Sequence, residues 1–104
     1  MIYTLPQEVT SPKDMVKNIR VLLDEGAEGV SIAVLDWGGK QAIGMRWNIA
    51  LREWDDADKI AENKPCMGQP TSRGYSTWFI LPNEIAQENS KINELLKSIK
   101  FSGI

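Results

Sequence analysis

Hydrophobic and polar residues alternate most regularly between Val30 and Trp47, a stretch that reads VSIAVLDWGGKQAIGMRW. Two runs of β-branched and apolar residues flank Gly38-Gly39, and a two-residue glycine loop supplies the positive φ angles of a tight hairpin turn. With these glycines as the loop, Val34 faces Ile43, Ile32 faces Met45 and Val30 faces Trp47, all of them large and apolar. The alternate pairs, Leu35 with Ala42, Ala33 with Gly44 and Ser31 with Arg46, carry smaller groups and one charge. A slip of one residue would mix the two sets, so the pattern specifies this register.

Other stretches follow different periods. Ser11-Pro12-Lys13-Asp14 has the pattern of a helix start, with Ser11 as N-cap, and Met15, Ile19, Leu22 and Leu23 then recur at helical spacing as far as Gly26. The spacing predicts a helix over residues 12–25, its apolar stripe on the sheet. Residues 2–5 read equally as a short strand ended by Pro6 or as an unpaired arm. YSTWFIL, residues 75–81, is β in composition and bulky on both faces, which predicts a central strand. A second amphipathic helix is predicted over residues 83–100, with Ile85, Ile92, Leu95, Leu96 and Ile99 on one side. Between these elements, residues 48–74 are the least regular part, with a short helix of about two turns expected after Trp54. The expected class is α+β: one domain over residues 1–104, built on a small antiparallel or mixed sheet with helices packed on one side.

Composition narrows the chemistry. A chain of 104 residues can bury a core without disulfides or a structural metal, and its single cysteine, Cys66, has no internal partner. There is no histidine, which removes the commonest general base and the usual zinc sites. No metal or other cofactor is therefore expected. A net charge of −2 supplies no overall field toward nucleic acid or an anionic membrane. The N-terminus, MIYTLPQEV, lacks the basic and apolar parts of a signal peptide, and no apolar run is long enough to span a bilayer, so a cytoplasmic protein is expected.

Three groups of residues stand out as candidates for function. Of the four tryptophans, Trp47 continues the large face of the hairpin and reads as core, whereas Trp54 lies in irregular chain beside acids and reads equally as buried or as part of a binding surface. Arg46, with Asn48 two residues on, points to the small face of the hairpin. If strand 75–81 neighbours that hairpin, Arg73 could converge on Arg46 to hold a phosphate or a carboxylate. The competing reading pairs each arginine with one of the chain's own carboxylates, Asp36 or Asp55 for example. Asp55, Asp56 and Asp58 lack the spacing and the glycine of a calcium loop, and read either as a solvated helix start or as an acidic patch for a basic partner. Cys66 has no local base and reads as an incidental thiol.

IGMRWN, followed about twenty residues later by GQPTSRGYSTWFILP, resembles a group of small uncharacterised bacterial proteins in which an RWN element precedes a G-x-P-x-SRG-x-x-TWF-x-LP element. The likeness spans about residues 44–82. Such proteins are associated with toxin and immunity or mobile-element neighbourhoods, and the resemblance implies that Arg46, Asn48, Ser72, Arg73, Gly74 and Trp78 belong to a shared element, structural or binding. No catalytic residue comes with it. The function expected is thus a non-catalytic immunity protein that covers the active site of a cognate toxin domain, a nuclease, with Trp54, Asp55, Asp56, Asp58, Arg46, Asn48 and Arg73 as contacts. The alternative is a module for single-stranded nucleic acid that uses Arg46, Arg73, Lys40 and exposed tryptophans on the sheet. An enzyme working through a carboxylate, or through Ser72 and Arg73, has no supporting spacing.

Overall fold

A computed structural model describes residues 1–86 of the chain. Its centre is the expected hairpin, formed by β2 (Val30–Trp37) and β3 (Lys40–Trp47), and β1 (Val16–Asp24) precedes it. The β2–β3 register pairs Val30 with Trp47, Ile32 with Met45 and Val34 with Ile43, as the alternation requires. Gly38 and Gly39 turn the chain with φ of 60° and 87°, the left-handed pair that a tight hairpin with right-handed twist selects. Past the hairpin, β4 (Thr71–Ser72) and β5 (Tyr75–Ser76) form a separate two-stranded ribbon, and β6 (Phe79–Leu81) joins the main sheet. That sheet has the order β1-β2-β3-β6, with every neighbouring pair antiparallel. The class is therefore a small α+β fold dominated by strands.

The segment expected to be a helix over residues 12–25 is instead strand β1, lying along the outer edge of β2. The reason lies in its bulges. The ladder shifts between Lys17 and Arg20 and again between Val21 and Leu23, with Asn18 at φ 54° inside the first shift. Each bulge adds one residue to one strand only and breaks the alternation that marks a strand, so the inward side chains fall at Val16, Ile19 and Val21, while Leu22 and Leu23, which completed the helical stripe, stay exposed. Pairing with β2 also gives that strand's outer backbone groups partners, which a helix could not do. The Ser11-Pro12 signal survives as a single turn, in which the Met15 and Val16 amides donate to the Pro12 carbonyl at 3.0 and 2.9 Å.

Residues 75–81 do not make one central strand. Thr77 and Trp78 interrupt the stretch, and β6 has β3 as its one neighbour among the described residues. The bulk on both sides is explained by a divided role. Trp78 turns under the sheet at 4% exposure, while Phe79 stays half exposed. Near the N-terminus, Tyr3 makes a one-residue parallel bridge to Cys66, with the Thr4 amide donating to the Cys66 carbonyl at 2.9 Å and the Cys66 amide to that of Ile2 at 2.8 Å. The helix expected over residues 83–100 lies, beyond a 3-10 turn at Asn83–Ala86, outside the described residues.

The core sits on the face of the hairpin that carries the small side chains. Ala33 and Leu35 join Val9, Val16 and Trp78, with Ile19 and Trp37 against them. Trp78 donates its indole N–H to the Val9 carbonyl at 2.8 Å, which ties the N-terminal arm to the underside of the sheet. Gly44 makes room for that indole: a Cβ there would come within 2.9 Å of Trp78 Cε3 and 3.0 Å of Leu35 Cδ2.

Candidate functional site

The RWN element at the end of β3 divides its residues between inside and outside, as a strand must. Arg46 is buried at 1% exposure. Its Nη1 donates to the carbonyls of Thr77 and Pro70, and its Nη2 to that of Met67, so the guanidinium holds the return of the irregular segment. Burial brings Arg46 down to about 10, with the Glu53 charge acting in the opposite direction, so it stays protonated at neutral pH. Asn48 is equally buried: its Nδ2 donates to Asp24 Oδ1 at 3.0 Å and to the Gly26 carbonyl at 2.8 Å, and its Oδ1 accepts from Ser31 Oγ at 2.7 Å. The Arg46 side chain is thus committed to main-chain carbonyls and that of Asn48 to a carbonyl, a carboxylate and a hydroxyl within the fold, and the reading of both as partner contacts is corrected accordingly.

Glu53, which the sequence did not single out, is the second anchor. At 2% exposure its Oε1 accepts from the amides of Ala50 (2.9 Å) and Gly68 (2.7 Å), while Oε2 accepts from the Met67 amide (2.8 Å) and pairs with the Lys59 ammonium. Burial alone would raise this carboxyl, but Lys59 and the three amides outweigh it and hold the group below the usual glutamate range. Its reach back to Ala50 is half of a capping box, and with alanine rather than serine or threonine at the cap the sequence signature is absent. Gly68, at φ 71°, passes so close to the Trp47 and Asn48 carbonyls that no side chain fits.

Between those two inward residues, Trp47 points outward. Expected in the core, it is 50% exposed, because the core lies on the opposite face of β3. Its backbone is fixed by paired hydrogen bonds with Gln69, at 2.8 and 3.0 Å. Trp54, 38% exposed, stands on the 3-10 turn Leu51–Asp55 that Glu53 secures. The two indoles, together with Glu28, Gln69, Leu51 and Ala27, line one cleft of about 250 Å³. Trp54 was expected either buried or at a surface and is partly exposed, whereas Trp47 was expected in the core and is more exposed still. The signal available was the strict alternation of Arg46, Trp47 and Asn48, which places the tryptophan opposite two polar residues.

The acidic run continues from this cleft. Asp56 caps α1 (Ala57–Ile60), accepting from the amides of Asp58 and Lys59 at 3.0 and 3.3 Å, so the helix-start reading accounts for it. Asp58 lies 3.8 Å from the exposed Lys64 ammonium. Asp55 and Glu28 are exposed and have no ion pair among the described residues. Arg73 stands exposed in the turn between β4 and β5, at φ 53°, whereas Arg46 is buried at the base of the same ribbon; they form no shared anion site. Cys66 is fully buried, and desolvation together with the Glu53 charge pushes its thiol up, away from the reactive thiolate.

Among the described residues no three His, Cys, Asp or Glu side chains are grouped to hold a metal ion, and no helix is long and apolar enough to cross a membrane. No protein-family model matches the chain, and neither a curated protein nor a solved structure does so.

Proposed function

We propose that this chain is a non-catalytic cytoplasmic binding protein, and that its partner is a basic protein surface recognised through the Trp47–Trp54 cleft and the adjoining Asp55, Asp56 and Asp58. One observation carries this reading: two half-exposed tryptophans, each on backbone fixed from within, open onto one cleft lined by Glu28 and followed along the chain by Asp55, two exposed carboxylates with no ion pair among the described residues. Rigid aromatic anchors ringed by polar groups are the anatomy of an interface hot spot. Acidic complementarity with a basic partner speeds the encounter and adds specificity. Within this reading the partner class is a toxin domain, a nuclease, and the chain is its immunity protein. The resemblance of residues 44–82 to small bacterial proteins of toxin neighbourhoods points the same way.

The test is co-expression with a candidate cognate toxin, a basic nuclease domain. Wild type is expected to protect the cells. The triple variant Asp55→Asn, Asp56→Asn, Asp58→Asn keeps an asparagine cap on α1 and is expected to lose most of that protection; full protection by the triple variant sinks the acidic-surface mechanism. The nucleic-acid alternative has lost Arg46 to the interior. Binding of a mixed-sequence oligonucleotide that weakens with salt would restore it.

A further inference from the structure

The cleft has more chemistry than a generic hydrophobic anchor point. Its walls include two indoles, the ring type that attracts cations most strongly through the negative charge of its face. Its lining also includes Glu28, an exposed carboxylate with no hydrogen bond or ion pair among the described residues. Asp55 follows Trp54 directly and is likewise unpaired. The exposed Arg52 shares the 3-10 turn with Trp54 but does not line the cleft. Gln69 adds an amide that can accept an N–H at a wall otherwise closed by Trp47. Volume sets the scale: about 250 Å³ is near the lower end for small-molecule pockets and accommodates one long side chain rather than an extended ligand.

We infer that the Trp47–Trp54 cleft receives a single arginine side chain of the partner, its guanidinium against the indoles and its charge answered by Glu28. A guanidinium suits this site better than an ammonium. It is planar, so it stacks on an aromatic face; it is more weakly hydrated, so it leaves water at lower cost; and its fork of donors matches a carboxylate and an amide oxygen together. This inference rests on the protein-recognition reading above and names the group that the site reads.

The experiment uses the full chain, labelled with ¹⁵N, and follows its four indole N–H signals. The probe is the peptide acetyl-Gly-Gly-Arg-Gly-Gly-amide; the control replaces arginine with citrulline, its uncharged near-isostere. A saturable shift of the Trp47 and Trp54 signals is expected, with the buried Trp78 signal unmoved and citrulline binding about tenfold weaker or more. Glu28→Gln is expected to weaken arginine binding about threefold to tenfold and to leave citrulline unchanged. Equal binding of the two peptides, shifts confined to other tryptophans, no saturable binding, or an unaltered arginine affinity in Glu28→Gln would each overturn the assignment. Failure here is separable from failure of the wider reading. Protection from the toxin that persists in Trp47→Leu and Trp54→Leu leaves protein recognition standing and rejects this cleft, whereas absence of protection by wild type rejects the immunity reading whatever the peptides do.

Discussion

The two faces of the central hairpin invert the usual relation between side-chain size and depth. Ser31, Ala33, Leu35, Ala42, Gly44 and Arg46 make up the face with the smaller groups, and all six are buried. Val30, Ile32, Val34, Ile43, Met45 and Trp47 make up the larger, more apolar face, and none is fully buried. The difference follows from what crosses each face. Under the small face run Val9, Trp78 and the Met67–Gly68 stretch, and backbone or an indole can approach a sheet closely only where side chains are short. Size along a strand therefore reports how near the next layer comes, as much as which layer is the core.

Substitutions on the two faces should separate sharply. The largest effect is expected for Arg46→Met, which removes the donors from three carbonyls, that of Thr77 buried and those of Met67 and Pro70 partly so, and a positive charge near Glu53; a loss of about 4 kcal/mol in urea unfolding is expected. A neutral result would mean that the guanidinium only fills space. Gly44→Val drives a branched side chain into Trp78 and Leu35 and should cost about 3 kcal/mol, visible as a lower urea midpoint and a shift of the Trp78 indole signal.

Glu53→Gln comes next, at about 2 kcal/mol at pH 7, because the amide cannot accept from three backbone N–H groups and also pair with Lys59. Since the folded carboxyl titrates below its unfolded value, its contribution is complete above about pH 4.5 and is lost as pH falls through the folded value. Urea midpoints between pH 7 and 3 should thus decline more steeply for wild type than for Glu53→Gln. The smallest effect belongs to the open face, where Trp47→Leu is expected to change stability by less than about 1 kcal/mol while weakening recognition by the cleft. A loss as large as that of Gly44→Val would show that Trp47 is structural after all.

How much was legible follows the same division. The hairpin register could be read because period two and the Gly38-Gly39 turn agree, and nothing in the fold disturbs either. Strand β1 could not, because its two bulges break the alternation of a strand and leave Met15, Ile19, Leu22 and Leu23 at helical spacing, although Leu22 and Leu23 face outward. The inward direction of Arg46 was evident from the alternation, but its partners are main-chain carbonyls from residues 67–77, and a carbonyl leaves no mark in a sequence. Glu53 was hidden for a related reason, since three of its four partners are amides. The exposed carboxylates and Trp54 were recognisable because surface residues in irregular chain keep the character their types suggest.

The peptide unit joining Met67 to Gly68 has its oxygen on the Arg46 guanidinium and its hydrogen on the Glu53 carboxylate. Opposite charges on its two ends align with the peptide dipole, so this one link is clamped electrically as well as sterically. Loosening it uncovers both charges together, and the surrounding loop has no inexpensive partial opening. In hydrogen exchange, the Met67 and Gly68 amides should behave like those of β2 and β3, exchanging through opening of the whole unit, and not like loop amides, although they belong to no strand or helix. What looks like a surface loop is, by this measure, part of the folding unit of the sheet.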